Sequence, residues 1–315
     1  MDLSIIVPVY NEEKNLPLLY DAILAAMSGY KKHWEVLFVD DGSKDASLQV
    51  LHGIYEKDKK RVRLVELRRN FGQTAAIAAG IDHSAGDIVV MLDADMQNDP
   101  ADIPMMLGKI EEGYDVVSGW RRDRKDTFIN RTLPSRLANG LISKVTGVHL
   151  HDYGCTLKAY RREVIKGFRL YGEMHRFIPV YANRFGARII EVPVRHHARK
   201  FGKTKYGLER TIKVLLDLFT VKFLVSYSSK PIYLFGGAGV ALDLLGLLVL
   251  FYLFVRRVFF GISVTASPLF LISTITVLMG FQSILMGLIA ELLVRTYHES
   301  QNKPIYNVRT FLDGR

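Results

Sequence analysis

Two apolar runs in the last third of the chain limit its architecture more than any other feature. Pro231–Val255 contains one charge, Asp243, and stops at Arg256 and Arg257; Pro268–Val294 contains one charge, Glu291. Each is longer than the roughly 20 residues a helix needs to cross a hydrocarbon core about 30 Å thick. Buried soluble helices are seldom so long and so apolar, so residues 230–295 read as two transmembrane helices forming a hairpin. Ser267 and Pro268 supply the start of the second helix. Asp243 is either a functional intramembrane acid or faces a neighbouring helix or subunit. Gly236, Gly237 and Gly239 suit close helix packing.

Residues 1–206 have a different character. Short β-branched runs at Ser4–Val9, Glu35–Asp40, Val62–Leu67, Asp87–Leu92 and Asp115–Ser118 alternate with helical patterns at Glu12–Met27, Lys44–Tyr55, Gln73–His83 and Ala101–Glu112. This alternation predicts an α/β domain with a mostly parallel sheet and flanking helices. Ligands of such sheets bind beyond the carboxyl ends of the strands. Two further segments, near 130–145 and at 207–229, pattern as amphipathic helices. The second is basic, carries Leu208, Ile212, Leu215, Leu216, Phe219 and Phe223 at helical spacing, and suits a lipid interface just before the first span. Residues 296–315 remain as a tail on the side of the N-terminal domain.

The net charge of +10 over 315 residues calls for an anionic partner, such as a membrane surface or a phosphorylated substrate. The basic stretch 195–213 carries no nucleic-acid fold signature, and membranous helices adjoin it, so nucleic acid is not expected. A single cysteine, Cys155, excludes an intrachain disulfide and points to a reducing compartment. Leu3–Val9 lacks the basic flank and cleavage site of a signal peptide. The N-terminal domain is therefore expected in the cytoplasm, on a multi-pass protein of the inner (plasma) membrane. Lys222, Lys230, Arg295, Lys303 and Arg309 flank the hairpin on that side, although Arg256 and Arg257 in the outer loop run against the positive-inside rule.

Three acidic motifs follow predicted strands: Val-Pro-Val-Tyr-Asn-Glu-Glu at Val7–Glu13, Val-Asp-Asp-Gly-Ser at Val39–Ser43 and Leu-Asp-Ala-Asp-Met-Gln at Leu92–Gln97. Acids therefore recur at the same edge of one sheet. Asp93 and Asp95 suit a divalent cation that also binds a pyrophosphate, since Mg²⁺ uses one or two carboxylates plus substrate phosphates. Gln97 offers a neutral oxygen. Asp41 is placed to hydrogen-bond a base or ribose, and Asp40 to stabilise the turn with Gly42 and Ser43. Asn11 reads as the cap of a helix whose first turn holds Glu12 and Glu13.

Together with Arg69-Asn-Phe-Gly-Gln73, Asp152-Tyr-Gly-Cys-Thr-Leu-Lys158 and Arg199-Lys-Phe-Gly-Lys-Thr-Lys-Tyr206, these motifs resemble the family-2 (GT-A) glycosyltransferases over essentially the whole chain. Within that family the chain is similar to the polyisoprenyl-phosphate glycosyltransferases, including dolichol-phosphate mannose synthases and, in its C-terminal helix pair, the bacterial lipid-phosphate glucosyltransferases. The resemblance implies that Pro8, Tyr10, Glu12, Asp41, Asp93 and Ala94 contact the nucleotide sugar. It implies that Asp93, Asp95 and Gln97 hold Mg²⁺ or Mn²⁺. Arg121 or Arg122, Arg131 and Ser135 match lipid-phosphate positions, and Arg199 and Lys205 match basic residues that meet the diphosphate or the acceptor. It also implies a homo-oligomer, a tetramer by analogy.

The expected reaction is inverting transfer of a hexose, glucose from UDP-glucose, to polyprenyl phosphate, giving a β-linked product. Aminoarabinose, mannose on GDP and N-acetylhexosamine are the alternatives. A lipid phosphate is already anionic, so it needs positioning and charge compensation more than a general base. Asp152 is expected to place acceptor or sugar, with Lys158 supporting it; a conventional base role for Asp152 is the alternative. A processive polysaccharide synthase would carry Gln-x-x-Arg-Trp and more spans, both missing here. A catalytically inactive membrane scaffold conflicts with the intact Asp93, Asp95 and Lys158. A dehydrogenase would need a glycine fingerprint where this chain has Pro8-Val-Tyr-Asn.

Overall fold

A computed structural model describes residues 1–122, 139–140, 142–144, 146–166, 170, 174–198, 232–264, 267–300 and 306–314. The chain divides into two compact units, Met1–Val221 with Pro304–Arg315, and Lys222–Lys303. The expected amphipathic helix at 207–229 lies outside the described residues, as does most of the one near 130–145, of which 139–140 and 142–144 are helical.

The first unit is an α/β structure on one sheet. In chain order its elements are β1 (Leu3–Val9), α1 (Leu16–Ala26), β2 (Trp34–Asp40), α2 (Ser47–Lys57), β3 (Val62–Leu67), α3 (Gln73–His83), β4 (Ile88–Met91), α4 (Ile103–Glu111), β5 (Val116–Trp120), β6 (Lys158–Arg161), α5 (Arg162–Ile165), α6 (Ile178–Arg184), β7 (Ile189–Pro193) and, after the second unit, β8 (Val308–Asp313). The strand order is β7-β5-β6-β4-β1-β2-β3-β8. β1 runs parallel to β2 and β4, β2 to β3, and β5 to β7, whereas β6 and β8 run antiparallel to their neighbours.

β1 and β2 are buried along almost their whole length, which is why they read as continuous apolar runs rather than alternating ones. Helices cover both faces. α3 lies close to the sheet because its inner side is small: Ala75, Ala76, Ala79 and Gly80 are buried, and a side chain at Gly80 would collide with Ile6.

Asn11 does not cap α1, which begins only at Leu16 with Pro17 in its first turn. Asn11 is left-handed (φ 54°), its Oδ1 accepts from the Lys44 amide at 2.7 Å, and its own amide donates to Ser43 Oγ at 3.0 Å. The Glu12 amide donates to Ser47 Oγ at 2.8 Å, and Glu13 accepts from the Ala46 amide at 3.0 Å. Residues 11–13 are thus used to bind the second motif's loop, which also delays α2 to Ser47.

The C-terminal segment, which the sequence offers only as a tail, supplies the edge strand β8. Its Asp313 meets Arg63 Nε at 2.6 Å, and Glu35 lies 3.8 Å from the same nitrogen. Glu35 in turn accepts from Ser4 Oγ at 2.6 Å and from the Ala85 amide at 2.9 Å. β6 and β7, also unassigned from sequence, complete the far side of the sheet.

The second unit is a helical hairpin of α7 (Ile232–Phe260) and α8 (Pro268–Ser300). Phe235–Phe260 and Pro268–Ala290 are long and apolar enough to cross a membrane, and most of their side chains face outward. The helices meet through small residues: a Cβ at Gly239 would lie 2.6 Å from the Gly280 carbonyl oxygen, and one at Gly246 would lie 3.0 Å from that of Ser273. Asp243 faces Gly280 across this seam. Gly237, by contrast, has open space beside it.

Candidate active site

Strand register brings the three acidic motifs to one edge. Val9 pairs with Asp40 and Ile6 with Met91, so β1, β2 and β4 end side by side. The Asp41 amide donates to the Val9 carbonyl at 2.8 Å and the Leu92 amide to the Ile6 carbonyl at 3.0 Å. Pro8, Tyr10 and Glu12 sit at and just beyond the end of β1, and Glu12 holds Asn15 Nδ2 at 2.6 Å.

Asp41 turns into the protein. Its oxygens accept from the Phe71 amide at 2.7 Å and the Gly72 amide at 2.9 Å, tying the Arg69–Gln73 motif to the second acid motif. The turn requires Gly42, at φ 65°, where a Cβ would lie 2.5 Å from the Arg69 carbonyl carbon. Asp40 accepts from the Ser43 amide at 3.2 Å, as its turn-stabilising reading expects, and burial raises its pKa.

Burial also pushes Asp41 up to about 6, against the lowering effect of its two amide donors. A carboxyl raised above its unfolded value of 3.8 contributes stability below that value and loses it as pH rises through about 6. The stability of the wild type relative to Asp41→Asn should therefore rise by about 2 kcal/mol between pH 7.5 and pH 4.5. Denaturation followed by tryptophan fluorescence checks this, because both tryptophans, Trp34 and Trp120, lie in the first unit. A flat difference across that range would contradict it.

Asp93 and Asp95 follow β4. Asp93 accepts from Gln73 Nε2 at 2.8 Å, and Asp95 accepts from the Gln97 amide at 3.1 Å. Between them Ala94 is buried, and Met96 beyond them is left-handed at φ 62°, a conformation that costs an ordinary residue about 1 kcal/mol or more. Desolvation and the adjacent Asp95 charge push Asp93 up to about 6. Two crowded carboxylates whose mutual repulsion is felt in this way fit a divalent cation. Among the described residues no third acid, His or Cys joins them, which fits an ion that takes its other ligands from a diphosphate.

The β5 side supplies the cationic half. Arg121, directly after β5, points inward and makes a two-pronged ion pair with Asp152, Nε to Oδ2 at 2.7 Å and Nη2 to Oδ1 at 3.0 Å. Burial opposes the Arg121 charge, but Asp152 outweighs it and raises the guanidinium pKa. Arg122 is turned outward and exposed, so of this pair Arg121 faces the site. Glu191, which sequence reasoning missed, holds the Asp152 loop: it accepts from the amides of His151 and Asp152, both at 3.0 Å, and from the His151 ring at 2.7 Å. That ring stacks on Trp120, with centroids 4.4 Å apart.

Lys158 opens β6 opposite both Met91 and Ser118. It is buried, its Nζ donates to the carbonyls of Tyr153 and Cys155, and burial lowers its pKa. Arg131, Ser135, Arg199 and Lys205 lie outside the described residues.

The fold has solved counterparts. A Mycobacterium tuberculosis glucosyl-3-phosphoglycerate synthase solved with Mg²⁺ and UDP superposes with a TM-score of 0.52 at 21% identity, covering 69% of this chain and 79% of that one. The same enzyme solved with Mn²⁺, UDP and phosphoglyceric acid gives a TM-score of 0.51 at 20% identity, over 69% and 78%. These establish a GT-A fold, a mixed, mostly parallel sheet with helices, here followed by the helix pair.

Sequence comparison reaches further. The family described as Glycosyl transferase family 2 matches residues 4–168. The chain is 43% identical to a dodecaprenyl-phosphate galacturonate synthase of Rhizobium johnstonii, over 99% of this chain and 94% of that protein. It is 38% identical to an undecaprenyl-phosphate 4-deoxy-4-formamido-L-arabinose transferase of Shewanella sediminis, over 99% and 93%. The sugars in these names are not the glucose expected from the glucosyltransferase branch, and UDP-glucose loses its support to the aminoarabinose-type alternative. The chain is a glycosyltransferase of family 2 and belongs, within it, with the polyprenyl-phosphate sugar transferases.

Proposed function

We propose that this protein transfers a uronic acid or a 4-amino-pentose derivative, rather than glucose, from a uridine nucleotide to polyprenyl phosphate with inversion. The observation that carries this reading is full-length similarity at 43% identity to a polyprenyl-phosphate galacturonate synthase. Two membrane-length helices suit a lipid acceptor. Both ends of the hairpin continue into the first unit, which supports two crossings and a catalytic unit on one face. We assign that face to the cytoplasm at the inner membrane, and include self-association in this reading.

In this mechanism the Asp41 loop receives the nucleotide, with Pro8, Tyr10, Glu12 and Ala94 beside it. Asp93, Asp95 and Gln97 would hold Mg²⁺ or Mn²⁺, which when bound neutralises charge on the departing diphosphate. Both Asp152 oxygens engage Arg121, and an acid committed to such a pair is a poor proton acceptor. Asp152 therefore acts as the group that fixes Arg121, and Arg121 compensates the acceptor phosphate, whose oxygen needs no base. Arg131, Ser135, Arg199 and Lys205 are assigned to the same anionic substrates, and Lys158 supports the site from below. In-line attack on an α-linked donor gives a β-linked lipid phosphosugar.

The test is transfer to undecaprenyl phosphate by the purified full-length protein in detergent with Mg²⁺ or Mn²⁺. UDP-galacturonate, UDP-4-formamidoarabinose, UDP-glucose and GDP-mannose are offered in parallel. A lipid product from one of the first two is expected. A product from UDP-glucose or GDP-mannose alone would overturn the sugar assignment.

A further inference from the structure

Asp93 is held from two sides by side chains with no other role in the site as described. Gln73 donates from Nε2 to Asp93 Oδ1 at 2.8 Å, and the Thr156 hydroxyl makes a second hydrogen bond to the same carboxylate. Gln73 opens α3, whereas Thr156 lies just before β6, so the two donors reach Asp93 from distant parts of the chain.

Both donors stand on firmly held backbone. Gln73 follows Gly72, whose amide donates to Asp41 at 2.9 Å, and precedes Thr74, whose hydroxyl meets His175 Nδ1 at 2.7 Å. Thr156 lies between Cys155 and Leu157, which are fully buried, and the Leu157 carbonyl accepts from the Gly119 amide at 3.0 Å. A few residues earlier on the same stretch, Asp152 binds Arg121, and two residues later the Lys158 charge acts on both Asp93 and Asp152. The loop assigned to the nucleotide and the loop that fixes Arg121 therefore converge on one carboxylate.

We propose that Gln73 and Thr156 are positioning residues for the divalent cation, fixing the Asp93 carboxylate in the orientation in which it binds Mg²⁺ or Mn²⁺. The inference rests on the metal reading in the mechanism above and extends it to two residues that do not themselves ligate the ion. A carboxylate offers about four acceptor positions. An amide and a hydroxyl that occupy two of them hold the plane of the group and leave the others for the cation. A site whose ligands are locked in this way loses less freedom when it binds. Removing such a supporting hydrogen bond typically weakens metal affinity or activity about 10- to 100-fold.

The full-length wild type, Thr156→Val, Thr156→Ser and Gln73→Met are titrated in detergent with Mn²⁺ in the presence of UDP, with free Mn²⁺ read by electron paramagnetic resonance. Melting in EDTA and KM for undecaprenyl phosphate are measured on the same proteins. Thr156→Val removes the hydroxyl at nearly constant shape, and Gln73→Met removes the amide at nearly constant length. Each should weaken Mn²⁺ binding about 10- to 100-fold and leave KM for the lipid unchanged. Thr156→Ser keeps the hydroxyl and should bind Mn²⁺ as the wild type does. Lower melting temperatures with Mn²⁺ affinity unchanged in both variants would mean that the two residues serve the fold alone, and would overturn the proposal. A serine variant as weak as the valine one would overturn it for Thr156. Should Thr156→Val fail to fold, Gln73→Met, on a separate element, decides by itself. The titration needs no turnover, so it stands even if no donor is transferred. A wild type that binds no Mn²⁺ with UDP would remove the metal reading and the proposal together, whereas normal wild-type binding with unaltered variants would remove the proposal only.

Discussion

Asp95→Asn should lower kcat/KM by about a thousandfold and leave the fold at least as stable as the wild type. The substitution is conservative in shape: the asparagine oxygen still accepts from the Gln97 amide, which Asp95 holds at 3.1 Å, so the left-handed turn at Met96 persists. What disappears is one of the two negative charges that make the site attractive to a divalent cation. Losing such electrostatic stabilisation of a leaving group typically costs two to three orders of magnitude. The stability half follows from the neighbour. Asp93 sits near 6 through burial and the Asp95 charge, so removing that charge relieves a repulsion present in the metal-free protein at pH 7.5. Kinetics paired with denaturation in EDTA reads both halves. Lost activity together with lost stability would mean that Asp95 serves the fold rather than the reaction.

The second large effect concerns Arg63, far from the chemistry. Its side chain is almost entirely buried, donates to the carbonyls of Lys59 at 2.8 Å and Val62 at 2.9 Å, and meets Asp313 of β8 and Glu35 of β2. Arg63→Ala should cost about 3–5 kcal/mol, because it strands the buried Glu35 charge and unfastens the edge strand. Asp313→Ala should cost less, since Glu35 remains for Arg63. Pairing Arg63→Met with Glu35→Gln should recover much of the loss, because no fully buried charge is then left unpaired and the remaining Asp313 is partly exposed to water. Tryptophan-detected denaturation measures the series. A double variant no better than Arg63→Ala would show that packing of the long side chain, not charge pairing, is what matters there.

Much of this architecture is legible from residues alone. β3 and α3 fall at the bounds their patterns predict, and β1, β2, β4 and β5 within two residues, because apolar runs between turn residues leave little choice in a sheet covered on both faces. β6 and β8 escape detection for opposite reasons. Lys-Ala-Tyr-Arg is short and charged at both ends, and its place comes from β4 and β5 on either side. Val308–Asp313 lies beyond the long apolar helical hairpin, where nothing local says that the chain returns to β3. The helix start at Asn11 fails because a good capping residue has a better partner in the loop at Ser43 and Lys44.

The site divides in the same way. Acids that follow strands announce themselves by position, so Asp41, Asp93 and Asp95 are found from sequence and brought to one edge by register. The Arg121–Asp152 pair joins residues on separate segments, and only coordinates distinguish inward Arg121 from outward Arg122. Glu191 and His175 lie outside every motif read from the sequence.

The central claim is that a sugar is linked to a lipid phosphate with inversion, and the product itself tests it most directly. Mass spectrometry and phosphorus-coupled proton NMR of the lipid fraction, after reaction with an α-linked uridine donor, should show one sugar on undecaprenyl phosphate in β linkage. One nucleoside diphosphate should be released per linkage, and neither species should form with Asp95→Asn. An α-linked product, or nucleoside diphosphate and free sugar with no lipid conjugate, would contradict the account.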